Sequence, residues 1–302
     1  MSGSSRKAES GWIDRDLYPF SSNYMETSAG DLHYVDDGSG DSTVVLLHGN
    51  PTWSFLYRDV IHELTDRNRC IAPDLLGFGL SDRPGDFGYL PENHAEIIEE
   101  FLGKLDAGPY HLVLHDYGGP IGTSYAVKHP ENVASMVPMN TFCWPISSFR
   151  GKLFSKIVGG EVGKKLIRNL DFFSNRIIKH GTGERFLLPA SGKELSRREH
   201  RHYLIPTRNR VTKRAITRFP RELTESRDWF SELRSQLHRL QTKPGLVIWG
   251  ANDPAFSYED MKHWTNVLDA QEVVVFRGAG HYLQETHGRE IGIKIQGFLS
   301  EI

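Results

Sequence analysis

A mostly parallel α/β sheet flanked by helices, interrupted late by a helical insertion, is the fold class this sequence predicts. Three observations predict it. Short continuous apolar runs, the pattern of fully buried strands, recur between segments with helical spacing. That alternation stops at Trp144 and resumes near Leu246. The 302 residues are 38% hydrophobic and 25% charged, enough to bury one sizeable core.

In chain order, Met25–Tyr34 reads as a hairpin turning at Ala29-Gly30-Asp31, which supplies two antiparallel edge strands. Thr43–Leu47, Cys70–Ala72 and His111–Leu114 read as buried strands. Between them, Ala95, Ile97, Ile98, Phe101, Leu102 and Leu105 fall at helical spacing over 94–105. Val133–Met139 is a further strand, the sixth. Short helices and loops follow, then strands at Leu246–Trp249 and Glu272–Phe276 and a last helix through Ile291–Leu299. The expected division is a core of residues 1–144 and 241–302 with a helical insertion over 145–240.

Composition excludes several classes. No apolar run approaches the roughly 20 residues that cross a bilayer. The first ten residues lack the apolar stretch of a secretory signal. Two cysteines, Cys70 and Cys143, cannot build a disulfide framework, so the reading is a cytoplasmic protein. Residues 145–240 hold 22 Lys/Arg against 9 Asp/Glu, whereas the rest holds 14 against 29. No nucleic-acid recognition motif accompanies the basic segment, so the asymmetry marks a boundary rather than a partner.

Leu112-Val-Leu-His-Asp-Tyr-Gly-Gly-Pro-Ile-Gly122 runs from a buried strand into a glycine-rich helix start. That is the context of the α/β-hydrolase nucleophile elbow, in which a sharp turn lifts one side chain above the sheet. The residue at its tip is Asp116, where Ser or Cys is usual. A carboxylate attacking an acyl carbon gives a mixed anhydride. Attacking a saturated carbon with a leaving group, it gives an alkyl ester that water can cleave. The competing reading is an Asp that merely caps the helix. His281, in the loop after the last strand, stands where a general base is needed. Asp253, in Gly250-Ala-Asn-Asp-Pro254, stands where an acid would orient it, although an Asx turn before proline is the plainer account. Leu47-His-Gly-Asn-Pro-Thr-Trp53 ends a strand, and the backbone N–H groups of Asn50 and Tyr117 are the expected oxyanion hole. The Asn50 side-chain amide adds a donor for a departing anion, while His48 and Gly49 read as shaping the turn. No His/Asp/Glu cluster has metal-ligand spacing.

These motifs resemble the haloalkane dehalogenases, cofactor-free α/β-hydrolases that replace a carbon–halogen bond with a hydroxyl. The resemblance rests on His48-Gly-Asn-Pro-Thr52, Ala72-Pro-Asp-Leu-Leu-Gly-Phe-Gly-Leu-Ser-Asp82, His115-Asp-Tyr-Gly-Gly119, Phe219-Pro-Arg-Glu-Leu223 and Gly280-His-Tyr-Leu-Gln284. It implies Asp116 as nucleophile, His281 as base, no cofactor, and a small halogenated substrate with halide as product. The family's acid follows either the strand before the cap, where this sequence has Val137 and no acid nearby, or the strand after it, where Asp253 stands. The family's halide clamp is usually a tryptophan directly after the nucleophile, paired with a second tryptophan or with the Asn of His-Gly-Asn. Asn50 fits. Tyr117 departs from the pattern, and either donates through its phenol or marks a different leaving group. Residues 145–240 become the cap, with Phe142, Trp144, Phe149, Phe172 and Phe173 as aromatic candidates for the pocket wall or its core.

Rival readings need other residues. An epoxide hydrolase needs acids for the alkoxide, normally two cap tyrosines, and 145–240 holds one, Tyr203. A ligand-sensing protein on the same scaffold has no need of the three-residue order Asp116, Asp253, His281; a cofactor-free monooxygenase-like role, as in the luciferases that share the scaffold, is a further alternative.

Overall fold

The computed structural model describes residues 10–146, 149–161, 163, 165 and 195–302. An eight-stranded sheet forms the centre: β1 Asn23–Thr27, β2 Gly30–Asp37, β3 Ser42–Leu47, β4 Asn68–Pro73, β5 Tyr110–Asp116, β6 Val133–Thr141, β7 Pro244–Gly250 and β8 Asp269–Phe276. Their order is β1-β2-β4-β3-β5-β6-β7-β8. β1 and β2 form the expected hairpin at one edge, and β2 continues antiparallel onto β4. The other pairs are parallel.

The helices are α1 Arg58–Leu64, α2 Pro91–Leu105, α3 Gly118–Lys128, α4 Phe149–Val158, α5 Arg197–Thr207, α6 Arg210–Glu225, α7 Arg227–Gln236, α8 Tyr258–Val267 and α9 Leu283–Leu299. Four of them, α4 to α7, lie between β6 and β7, where the sequence places its insertion. The core sits where the apolar runs predict it: Val44–Leu47 and Leu112–Leu114 are fully buried, because a parallel strand is covered on both faces. Phe172 and Phe173, together with the side chain of Phe149, lie outside the described residues.

The turn between β5 and α3 places the site. Asp116 ends β5 with φ +50°, a left-handed conformation that is strained for a residue other than glycine. The chain then doubles back so tightly that a Cβ on Gly118 would stand 2.1 Å from the Leu47 carbonyl oxygen of β3. Only hydrogen fits there. Replacing Gly118 with Ala is therefore expected to lower the free energy of unfolding by about 1–3 kcal/mol. Urea denaturation reads this as a lower midpoint; an unchanged midpoint would mean that α3 can back away from β3.

Candidate active site

Asp116, His281 and Asp253 come together at the C-terminal end of the parallel strands, each from a different loop. His281 Nδ1 lies 2.9 Å from Asp253 Oδ2, and its Nε2 lies 3.5 Å from Asp116 Oδ2. The Asp253 side chain is almost wholly buried, and its other oxygen caps the following turn, accepting from the N–H groups of Ala255 (2.7 Å) and Phe256 (3.2 Å). The Asx turn and the imidazole partner are thus the same residue: one oxygen serves each.

The second Asp116 oxygen is held from the opposite side. The backbone N–H of Asn50 donates to Oδ1 at 2.7 Å, and the Tyr117 N–H also donates to this carboxylate. Gly49 makes the approach possible, since a Cβ there would fall 2.2 Å from Oδ1. His48 is structural, as expected: its Nδ1 meets the Gly49 carbonyl at 2.9 Å and its Nε2 accepts from Leu75 N–H at 2.9 Å.

Charge follows from this packing. Burial works against a charged imidazole at 281, but the carboxylates of Asp253 and Asp116 outweigh it and raise the pKa to about 10. Burial likewise opposes ionisation of Asp116. The hydrogen bond and charge of His281 reverse that and hold its pKa below the usual carboxylate value. His115, behind the site, is stripped of solvent and pushed down to about 3, so it stays neutral while its Nε2 donates to the His281 carbonyl at 2.8 Å.

Asn50 and Tyr117 turn their side chains toward α6. Asn50 Nδ2 donates to the Ile216 carbonyl at 3.3 Å, which leaves its second amide hydrogen. The Tyr117 phenol donates to the Phe219 carbonyl at 2.5 Å, and its ring packs edge-on against Phe219. A phenol has a single hydrogen to give. The hydrogen of the Tyr117 phenol is thus committed to the Phe219 carbonyl. Tyr203, the tyrosine an epoxide hydrolase would need, donates instead to Glu285, which forms a two-pronged buried ion pair with Arg58.

Some positioning residues were invisible in the sequence. Asn140, at the end of β6 with φ +38°, accepts from Gly250 N–H (2.7 Å) and donates to the Gly280 carbonyl (3.1 Å), tying the Asp253 and His281 loops together. Sequence reasoning pointed to Val137 as the position following that strand. Val137 is a buried mid-strand residue, and the loop-facing end is Asn140. A short polar residue closing an apolar strand was the available signal. Thr141 Oγ1 donates to the Asp116 carbonyl at 2.5 Å and fastens the elbow from below.

Phe142 lies within this wall, stacked on Phe256, which in turn meets the His281 ring. Trp144 instead packs on Trp264 and His263, away from the triad. A cavity of about 990 Å³ opens between α4, α6 and α7, lined by residues such as Pro145, Lys156, Leu223 and Arg234, and none of the triad lines it. Among the described residues no group of His, Cys, Asp and Glu could hold a metal ion, and no helix is long and apolar enough to cross a membrane.

This architecture and elbow define an α/β hydrolase, and residues 42–288 match the family described as alpha/beta hydrolase fold. Haloalkane dehalogenase 2 of Mycobacterium tuberculosis is 38% identical over 90% of this chain and 92% of its own length. A cis-3-alkyl-4-alkyloxetan-2-one decarboxylase of Shewanella oneidensis is 28% identical over 94% and 90%. The crystal structure of an ancestral haloalkane dehalogenase superposes with a TM-score of 0.81 at 26% identity, covering 92% of this chain and 98% of that one. The chain belongs to the haloalkane dehalogenase family of α/β hydrolases.

The His281 shift makes stability depend on pH with a defined sign. Its folded pKa lies above the ordinary 6.5, so the charged imidazole stabilises fully below that value and the benefit fades as pH rises toward about 10. Asp116 has the opposite sign: its contribution is present above 3.8 and is lost as pH falls below it. The stability gap between wild type and His281→Gln, measured by denaturant titration from neutral pH upward, is expected to shrink toward pH 10. A gap that stays flat would mean the imidazole is already neutral at pH 7.

Proposed function

We propose that this enzyme hydrolyses haloalkanes to an alcohol, halide and a proton through a covalent alkyl ester on Asp116. One observation carries the reading: the Asn50 N–H holds Oδ1 at 2.7 Å, leaving Oδ2 on the side of His281. Oδ2 attacks the halogen-bearing carbon; the C–O bond forms as the C–X bond breaks, and its electron pair leaves with the halide. Oδ1 then becomes the ester carbonyl oxygen, already seated in the hole formed by the N–H groups of Asn50 and Tyr117. With its own proton released to solvent, His281 Nε2 takes a proton from the water that attacks that carbonyl carbon; the tetrahedral adduct then collapses as the bond from that carbon to the alkoxy oxygen breaks, the departing alkoxide takes up the remaining water proton and leaves as the alcohol, and the Asp116 carboxylate is regenerated. The oxyanion forms where its donors already point, and each such donor contributes about 3 kcal/mol to the transition state.

Ester formation also readies the base. It removes the Asp116 charge, one of the two that hold His281 protonated, so the imidazole pKa falls and it can accept a proton. Asp253 keeps the ring oriented throughout. The departing halide meets the second amide hydrogen of Asn50; Tyr117 serves the oxyanion hole through its backbone N–H, its phenol being committed to the Phe219 carbonyl. Residues 145–240 serve as the cap over a core of 1–144 and 241–302. The buried free thiols Cys70 and Cys143 suit a reducing cytoplasm. The commitment of Tyr203 to Glu285 removes the acid that epoxide opening would require.

Replacing His281 with Phe should stop the cycle at the ester. With 1-bromobutane, the intact mass is expected to rise by one butyl group, localised to Asp116 by peptide mapping. Release of no bromide by the wild type, with no adduct in the variant and consumption of an epoxide, would overturn the assignment. Tyr117→Phe separates packing from chemistry. It leaves a buried carbonyl unpaired and is expected to lower stability by about 1–3 kcal/mol, with little change in bromide release. A large loss of turnover at unchanged stability would return the phenol to the halide site.

A further inference from the structure

Two helices of the insertion carry an internal proline, Pro206 in α5 and Pro220 in α6. Proline has no N–H, so in an α-helix the carbonyl four residues earlier loses its partner. For Pro220 that carbonyl belongs to Ile216; for Pro206 it belongs to His202. Both carbonyls are taken by side chains of one loop, residues 48–53. Asn50 Nδ2 donates to Ile216 at 3.3 Å, and Trp53 Nε1 donates to His202 at 3.0 Å. Asn50, Trp53, Ile216 and the backbone around His202 are all buried, where an unpaired carbonyl or N–H is expensive.

We propose that Pro206 and Pro220 are positioning residues: each frees one helix carbonyl to fix one donor of the 48–53 loop. Pro220 sets the orientation of the Asn50 amide. Its first hydrogen is anchored on Ile216, so the second takes a fixed direction, which under the reading above is toward the departing halide. Pro206 anchors the other end of the same short loop through Trp53. The rings of Trp53, Phe55 and His202 pack nearly parallel to one another, with Phe55 4.2 Å from His202, which holds the indole beside the helix whose carbonyl it meets. The backbone N–H that holds Asp116 belongs to Asn50 itself, three residues from the Trp53 anchor, so both prolines act on the oxyanion side of the site.

The inference depends on the proposed function only for the halide end of the argument, and the test keeps the two apart. A double-mutant cycle combines Pro220→Ala with Asn50→Ala, and a second combines Pro206→Ala with Trp53→Phe; urea unfolding is measured for each, and bromide affinity by titration for the first. An alanine at 220 supplies the missing N–H, and Ile216 regains a helical partner. Pro220→Ala is therefore expected to keep or raise the unfolding midpoint while weakening bromide binding about fivefold, the value of one hydrogen bond. In the Asn50→Ala background the same change should have no further effect on bromide. Pro206→Ala should likewise interact with Trp53→Phe in the unfolding cycle. Additive effects in both unfolding cycles would overturn the inference and leave the prolines as simple helix kinks. Wild type that binds no bromide would count against the halide reading alone, because the unfolding cycles still decide whether the freed carbonyls hold the loop.

Discussion

The site depends on a carboxylate forced into a left-handed turn and gripped from two sides. Asp116 at φ +50° is a strained placement, of order 1–2 kcal/mol. It persists because the surroundings over-determine it: Thr141 holds its carbonyl, the Asn50 N–H one carboxylate oxygen, and His281 faces the other. Each grip comes from a different strand end, β6, β3 and the loop after β8. Parallel strands that all finish on one edge of the sheet are what bring those groups within a few ångströms. The glycines at 49 and 118 follow from the same constraint, because the turn admits no Cβ at either position.

Holding two carboxylates about one imidazole has an electrostatic consequence. The two carboxylates favour the charged imidazole of His281 over the neutral base. Under the proposed reaction, alkylation of Asp116 would remove one of those two negative charges and lower the imidazole pKa, with Asp253 left to orient the ring. Asp253 can sit after β7 without being adjacent to Asp116, because one of its oxygens meets the imidazole and the other is tied to its own turn.

Much of this was legible in the residues. The apolar runs located the central strands to within a few positions, because burial on both faces leaves no alternation to misread. The elbow was legible from Asp116 and the glycines, and the order Asp116, Asp253, His281 from strand ends. What was not legible shares a cause. α1 and α8 went unassigned because they are short and mixed in composition, and their identity comes from packing against α9 and β7. Asn140 was missed because a polar residue closing an apolar strand is a weak signal whose partners, Gly250 and Gly280, lie more than a hundred residues away. The fate of the Tyr117 phenol depended on a carbonyl a hundred residues away, in a helix whose docking no local pattern encodes.

That docking resolves the charge asymmetry of the chain. The basic segment 145–240 and the acidic remainder attract at long range, but long-range attraction between exposed groups is screened and non-directional. Ion pairs that cross the boundary are exposed, as at Arg198 with Asp14 and Asp16, or accessory, as Arg58 with Glu199 at 3.5 Å. The contacts between 145–240 and the loops that carry Asn50 and Tyr117 are uncharged hydrogen bonds: Asn50 on Ile216, Tyr117 on Phe219, Trp53 on His202. All three use helix carbonyls as acceptors, groups whose position is fixed by the backbone and not by a flexible side chain. Under the proposed reaction, in which an incoming carbon must align with one carboxylate oxygen, such fixed acceptors serve better than additional charge, which would also disturb the proton balance of His281.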